Sequence, residues 1–309
     1  MKKLSFIIPC YNSEKTIKTV TNEIIDVVDK LLNYDYEIIL INDYSHDNTF
    51  QVIREICSLN NKIKGVNFSK NYGQPSATLA GCSISTGDII VYSDDDGQTP
   101  MDELPKLLEK LDRGFDVVFG GFSEKKTSFM QRIGSQINNR MAEILIGKPK
   151  DVYMGSFWVC KSYVIEEAIL CKNPFPYLAG IILSITRNVV SIPTSHRSRL
   201  HGKSNYTLKK MLVLWFNGFT AFSVKPLRIA SLIGVCTSFL GFLYMLIIIY
   251  DKYRNPAVLV GYSSIMSAVL FVGGMIMMML GLLGEYIGRI YMNINNLPQY
   301  VIKEKINLD

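Results

Sequence analysis

The sequence predicts an α/β fold, a mostly parallel sheet covered on both faces by helices, followed by a membrane-associated C-terminal third. Three observations carry this expectation. Short apolar runs alternate with amphipathic helical patterns from residue 4 to about 120, as expected of strands joined by crossover helices. Polar and acidic residues gather just after the apolar runs, at the strand ends where ligands sit in such sheets. Two long stretches without a charged residue lie beyond residue 228.

The series opens with a strand over Leu4–Ile8, a helix over about 14–32, a strand over Glu37–Ile41 and a helix over about 49–58. A strand over Ile63–Phe68, a helix over about 75–85, a strand over Asp88–Tyr92, a helix over about 101–111 and a strand over Asp116–Phe119 continue it. The pattern then becomes irregular. A helix starting near Thr127 sets Arg132, Ser135 and Asn139 on one face by their three-to-four spacing. Leu208, Met211, Leu212, Trp215 and Phe219, with Lys209 and Lys210, give residues 207–222 the pattern of an amphipathic helix lying in a lipid interface.

The uncharged runs Ile229–Tyr250 and Ala257–Gly284 are each at or above the roughly 20 residues that cross a ~30 Å hydrocarbon core. Buried core helices are the alternative, but two such runs joined by a short segment read as a transmembrane hairpin. Lys209, Lys210, Lys225 and Arg228 precede the first run, and Arg289, Lys303 and Lys305 follow the second. Only Lys252 and Arg254 lie between, a bias that puts both ends in the cytoplasm. No cleavable signal is expected, since Met1-Lys2-Lys3 leads into an apolar run broken by Pro9 and Asn12. Small residues such as Ser263, Ser267, Gly273 and Gly274 suit homo-oligomers built through these helices, with lipid-facing helices as the equal alternative.

Composition narrows the class. Of 309 residues, 48% are hydrophobic and the net charge is +6. No Lys/Arg block is interleaved with aromatics, so anionic lipid explains the charge better than nucleic acid. The six cysteines show no C-x-x-C spacing and no histidine cluster, which favours reduced, buried thiols over disulfides or zinc.

Four strand-end clusters carry chemistry. Asp94-Asp95-Asp96, followed by Gly97-Gln98-Thr99-Pro100, packs three carboxylates whose mutual repulsion is most simply relieved by a divalent cation and the diphosphate it holds. In Asn42–Thr49, Asp47 or Asn48 suits the helix cap and leaves Asp43 for the hydrogen-bond donors of a base or ribose. Pro9 through Glu14 follows the first strand, where Pro9 is expected to halt the ladder and Asn12 or Ser13 to cap the next helix. Lys70, after the third strand, offsets phosphate charge or is simply solvated. Later, Arg197, Arg199, Gly202, Lys203 and Ser204 lie close together, suited to pyrophosphate, with a basic surface loop near lipid as the alternative.

Taken in order, these motifs resemble the membrane-anchored family 2 glycosyltransferases that load sugars onto polyprenyl phosphate, such as bactoprenol glucosyltransferases and dolichyl-phosphate mannose synthases. The resemblance covers essentially the whole chain, including Pro226-Leu227-Arg228 and Gly284-Glu285-Tyr286-Ile287-Gly288-Arg289 with Pro298 and Tyr300. The family's usual Asp-Asp-Gly-Ser is Asn42-Asp43-Tyr44-Ser45 here, and no acidic or basic residue stands in Met154-Gly155-Ser156-Phe157-Trp158.

The resemblance implies a GT-A nucleotide-sugar domain over 1–206, an interface helix over 207–226, a two-helix transmembrane hairpin over 227–290 and a cytosolic tail over 291–309. It implies that Asp43 meets the nucleobase, with Pro9, Tyr11 and Glu14 completing the nucleotide pocket and Lys70 beside the phosphates. Asp94, Asp96 and Gln98 are expected to hold Mg²⁺ or Mn²⁺, with Asp94, Asp96 and Arg199 catalytic and Lys203 on the pyrophosphate. Arg132, Ser135 and Arg197 are the candidates for the acceptor phosphate. The expected reaction is inverting transfer of a hexose from a UDP-sugar to undecaprenyl phosphate at the cytoplasmic face of a bacterial inner membrane, for cell-envelope glycan modification. A GDP-sugar donor is the nearest alternative. A processive polysaccharide synthase would carry a Gln-x-x-Arg-Trp segment, yet neither Trp158 nor Trp215 follows an arginine. A silent membrane scaffold has no physical reason to cluster carboxylates.

Overall fold

The computed structural model describes residues 1–122, 140, 142–143, 147–172, 176–195, 197, 225–254, 261–295 and 298–308. The expected helices near 127–146 and over 207–222 fall largely or wholly outside these residues.

The first nine elements follow the sequence pattern. They are β1 (Lys2–Cys10), α1 (Ile17–Val28), β2 (Tyr34–Asn42), α2 (Thr49–Leu59), β3 (Ile63–Phe68), α3 (Gln74–Ile84), β4 (Ile89–Tyr92), α4 (Leu104–Asp112) and β5 (Val117–Phe122). Then come β6 (Phe157–Lys161), α5 (Ser162–Ile169), α6 (Leu178–Ile185), β7 (Val189–Thr194), α7 (Lys225–Arg254), α8 (Tyr262–Ile294) and β8 (Ile302–Ile306). The eight strands form one sheet in the order β7-β5-β6-β4-β1-β2-β3-β8. Its centre, β4-β1-β2-β3, is parallel, whereas β6 runs antiparallel between β4 and β5, and β8 antiparallel on β3.

Strands buried on both faces read as continuous apolar runs, and Phe6-Ile7-Ile8 and Ile38-Ile39-Leu40-Ile41 are all fully buried. Leu4, Phe6, Ile8, Ile38 and Leu40 join one core with α1, α2 and α4. Helix α1 supplies Ile17, Val20, Thr21, Ile24 and Val28, the three-to-four spacing of a one-sided helix. On the opposite face α3 approaches so closely that a Cβ on Gly81 would lie 2.5 Å from Ile7 and 2.8 Å from Ile41.

Several boundaries differ from expectation for local reasons. Pro9 does not halt the ladder: β1 runs on to Cys10, and Pro9 pairs with Ile41. Helix α1 starts at Ile17 because the Ser13 carbonyl accepts the amides of Thr16 and Ile17 after Asn12 takes a left-handed turn at φ 56°. Neither Asn12 nor Ser13 caps it by a side chain. The stretch after 290, expected as a tail, contributes β8, so the sheet recruits residues from both sides of the helical segment. All six thiols are free, four of them buried.

Residues 1–218 with 296–309 form one unit and 219–295 another. In the second unit, α7 is 30 and α8 is 33 residues long. Among the described residues one stretch, Phe271–Ile294, is long and apolar enough to cross a membrane, with none of it buried; the apolar stretch of α7, Ala230–Gly241, is shorter. The two helices meet where a Cβ on Gly234 would fall 2.8 Å from the Met279 terminal methyl, a close approach that glycine permits.

Candidate active site

The parallel strands β1, β2, β3 and β4 all end on one edge of the sheet. The chain moves outward from β1 through β2 to β3 and then returns to place β4 on the other side of β1. Such a reversal opens a crevice at the β1/β4 boundary, the usual ligand site in open α/β sheets. The loops after β1 and β4 are tied across it. Asp95 Oδ2 accepts the Tyr11 amide at 3.1 Å and the Ser13 hydroxyl. Burial pushes the Asp95 carboxyl above its usual range; those two bonds work against the shift, and the Asp96 charge adds to it.

Asp94 is the most perturbed carboxylate at this edge. Gln74 Nε2 donates to its Oδ1 at 2.8 Å and the Tyr92 hydroxyl at 3.0 Å. Burial pushes its carboxyl up to about 6, opposed by a hydrogen bond from Ser156 and reinforced by the charges of Asp96 and Asp95. The Tyr92 ring that delivers the hydroxyl is fixed by stacking on Trp158, centroids 5.3 Å apart and 5° from parallel. Asp96 accepts the Gln98 amide at 3.0 Å across Gly97, whose φ of 74° lies where a side chain is strained.

Asp43 is 3% exposed and its two oxygens receive different amides, Tyr72 N at 2.7 Å and Gly73 N at 2.9 Å. Burial still raises its pKa against those two bonds. Asp47, one of the two residues expected to cap α2, accepts the Thr49 amide at 3.0 Å. Asp43 therefore does have a structural task, contrary to the reading by elimination: it holds the loop between β3 and α3. Gly73 there adopts φ 89°, and Gln74, the first residue of α3, reaches Asp94.

The remaining expected residues are placed as follows. Tyr11 is 38% exposed, edge-on to His46 at 6.4 Å, and His46 meets Tyr44 at 6.0 Å. Glu14 accepts the Asn48 amide at 3.0 Å, linking the β1–α1 loop to the start of α2. Pro9 is a buried strand residue. Lys70 is exposed, its ammonium 5.0 Å from the Tyr72 ring centre. Gln98 Nε2 donates to the Arg197 carbonyl at 3.1 Å. The Arg197 guanidinium, a candidate for the acceptor phosphate, is engaged by the carboxylates of Glu23 and Asp102. Arg132, Ser135, Arg199 and Lys203 lie outside the described residues.

The structure adds Asp95, Gln74, Tyr92 and Ser156 to the site. Asp95 was visible as part of the acidic triplet, but nothing in the sequence pattern separates a carboxylate that ties loops from one that faces a ligand. Ser156 arrives through the antiparallel β6, which no alternating pattern announced.

The donor set suits a hard divalent cation: clustered carboxylates with an amide beside them, whose mutual charge and burial hold Asp94 and Asp95 high. Among the described residues no three His, Cys, Asp or Glu side chains form a ready cage. Mg²⁺-type sites commonly have this character, using one or two carboxylates plus the phosphates of the substrate.

Residues 5–168 match the family model described as glycosyl transferase family 2, and residues 225–290 match the GtrB C-terminal hairpin. The uncharacterized glycosyltransferase YkcC of Bacillus subtilis (strain 168) is 30% identical over 99% of this chain and 94% of its own length. The undecaprenyl-phosphate 4-deoxy-4-formamido-L-arabinose transferase of Edwardsiella ictaluri (strain 93-146) is 31% identical over 98% of this chain and 94% of that protein. Among solved structures, glucosyl-3-phosphoglycerate synthase from Mycobacterium tuberculosis, in complex with Mn²⁺, UDP and glucosyl-3-phosphoglycerate, aligns with a TM-score of 0.51 at 18% identity. That alignment covers 71% of this chain and 78% of the other. It identifies the first unit as a GT-A, Rossmann-like fold.

Proposed function

The chain belongs to glycosyl transferase family 2 and carries the GtrB-type hairpin of polyprenyl-phosphate sugar transferases, and from that premise we propose that it moves a hexose from a UDP-sugar to undecaprenyl phosphate. The observation that supports this reading most is the convergence of the Asp94–Gln98 turn, the Asp43-held loop and the Tyr11 loop on one crevice of the sheet.

In this reading the base lies between Tyr11 and Asp43, and the diphosphate faces Asp94, Asp96 and Gln98. Mg²⁺ or Mn²⁺, held by those three residues when bound, supplies positive charge to the departing diphosphate. An oxygen of the lipid phosphate bonds to the anomeric carbon as the bond from that carbon to the donor's phosphate oxygen breaks. The nucleoside diphosphate leaves with the electron pair, and configuration inverts. The attacking phosphate is already anionic near neutral pH, so the chain needs no strong general base. Its task is to align the two substrates. The half-buried Gln74–Tyr92–Asp94 network fixes the carboxylate before substrate arrives, which lowers the reorganisation required.

Strand order supports two membrane crossings. β7 precedes the helical pair and β8 follows it, yet both lie in the same sheet. A single crossing would separate β8 from β3 by a bilayer, so an even number is required if α8 spans. Together with the cationic flanks, this supports a cytoplasmic position for the sheet.

The Edwardsiella ictaluri relative is a 4-deoxy-4-formamido-L-arabinose transferase by name, which makes that pentose the second donor sugar to consider. The test is a panel of labelled UDP-glucose, UDP-galactose, UDP-4-deoxy-4-formamido-L-arabinose and GDP-mannose offered to the purified full-length protein with undecaprenyl phosphate and Mn²⁺. A lipid-linked product from a UDP-hexose is expected. Product from the formamido-arabinose or GDP-mannose alone would replace the donor assignment, and no product from any donor would contradict the transferase reading of this acceptor.

A further inference from the structure

The segment that follows the helical pair reaches the loop between β3 and α3. β8 pairs antiparallel with β3, with a register shift at Asn67/Phe68. Just beyond, the Ser69 amide donates to the Val301 carbonyl at 3.0 Å. Tyr300 lies flat on the fully buried Phe68, centroids 5.6 Å apart and 8° from parallel, and Phe68 meets the Tyr72 ring edge-on at 5.6 Å. The Tyr300 hydroxyl also shares a 2.8 Å hydrogen bond with Ser83, near the far end of α3. One side chain thus grips the strand before the loop and the helix after it. The same loop supplies the Tyr72 and Gly73 amides to Asp43, and the first residue of α3, Gln74, bonds Asp94.

We propose that Tyr300 is a positioning residue for the sugar-nucleotide donor, bracing the 69–73 loop so that Asp43 and Asp94 are held in their binding arrangement. The inference rests on the donor reading given above. The chain returning from the apolar hairpin is then part of the donor site's support. It is anchored independently by Arg54–Glu304 at 2.7 Å and by Asn307 Nδ2, which donates to the carbonyls of Cys57 and Ile63, so β8 stays docked when Tyr300 alone is changed.

The test compares full-length wild type, Tyr300→Leu and Tyr300→Phe in detergent. Leucine removes the stack and the hydroxyl while keeping apolar bulk; phenylalanine keeps the stack. Losing an aromatic pair together with a hydrogen bond is expected to raise the KM for UDP-glucose about tenfold in Tyr300→Leu, with kcat within about twofold. Tyr300→Phe should recover most of that loss. Amide exchange should quicken at residues 69–74 in Tyr300→Leu and stay unchanged in β1 and β2. An unchanged donor KM with unchanged exchange at 69–74 overturns the proposal, as does a fall in kcat alone. If the wild type neither binds UDP nor uses UDP-glucose, the donor reading fails, and faster or unchanged exchange at 69–74 still decides for or against the brace.

Discussion

Replacing Asp43 with asparagine tests whether a carboxylate, rather than any small polar group, organises the nucleotide side of the crevice. In the native site two oxygens receive two amides, Tyr72 at 2.7 Å and Gly73 at 2.9 Å. Asparagine keeps one acceptor and turns an NH₂ toward the other amide, so one charge-assisted bond is lost and one donor faces another. Each such loss is worth about 1.5–3 kcal/mol for a charged partner. Part of that is returned because the buried charge, which raises the Asp43 pKa, no longer has to be desolvated. A net of about 2 kcal/mol corresponds to roughly 30-fold weaker donor binding. Isothermal titration of UDP with Mn²⁺ reads it directly, and the exchange rates of the Tyr72 and Gly73 amides report whether the loop has loosened. Affinity within about twofold of wild type, with both amides still protected, would refute the idea that this carboxylate holds the loop.

Three further outcomes follow from the same physics. Because Asp94 has its pKa raised to about 6 and a metal requires the ionised form, Mn²⁺ affinity should fall by up to about tenfold per pH unit below 6; a flat response between pH 7 and 5 would contradict the Asp94 ligand assignment. Glu37, buried with Lys3 at 3.0 Å and Lys64 at 2.7 Å and hydrogen-bonded by Ser5 and Thr86, has its pKa lowered from 4.5 to about 2 despite its burial. A depressed carboxyl stabilises above its unfolded value, so about 3 kcal/mol should vanish between pH 4.5 and 2. Glu37→Gln should lower stability at pH 7 by about 3 kcal/mol and flatten that acid limb in urea titrations. Gly155→Ala would drive a Cβ into the Gly120 carbonyl of β5; the shift should cost about 1–3 kcal/mol and weaken Mn²⁺ binding by moving Ser156 from Asp94, whereas an unaltered melting temperature and affinity would show the backbone yields freely.

The parallel centre of the sheet was legible because both of its faces are buried. Runs such as Ile38–Ile41 cannot be anything but a core strand once helices of three-to-four periodicity flank them. The strands beyond Phe122 were not, for a physical reason. β6 gains its place by antiparallel pairing between β4 and β5, and β8 by closing the β3 edge, with Ile302, Glu304 and Ile306 on one half-buried face and Lys303 and Lys305 on the exposed one. Five residues with two lysines and a glutamate look like a solvated tail until a partner strand is present.

The acidic triplet stands at the end of β4, on the edge of the sheet that the sequence pattern singles out, since carboxylates crowded at a strand end need a reason. Their division of labour was not legible. Asp95 ties two loops, Asp94 sits in a half-buried network, and Asp43 holds backbone amides, tasks set largely by residues 20 to 84 positions away. Arg197 shows the same limit: its charge suited a phosphate, but Glu23 and Asp102 are close enough to claim it. Glu14 proved to bond the start of α2, a contact that depends on how far apart β1 and β2 place their loops.

The most direct measurement is mass-spectrometric detection of sugar-linked undecaprenyl phosphate made by the full-length protein, wild type beside Asp94→Asn and Asp96→Asn, each with Mn²⁺ or with chelator. A lipid-linked product is expected from the wild type with metal, and its loss by at least about 100-fold, or about 2.7 kcal/mol of barrier, in either variant or on chelation. Undiminished product in both variants would contradict the claim that these carboxylates serve the transfer.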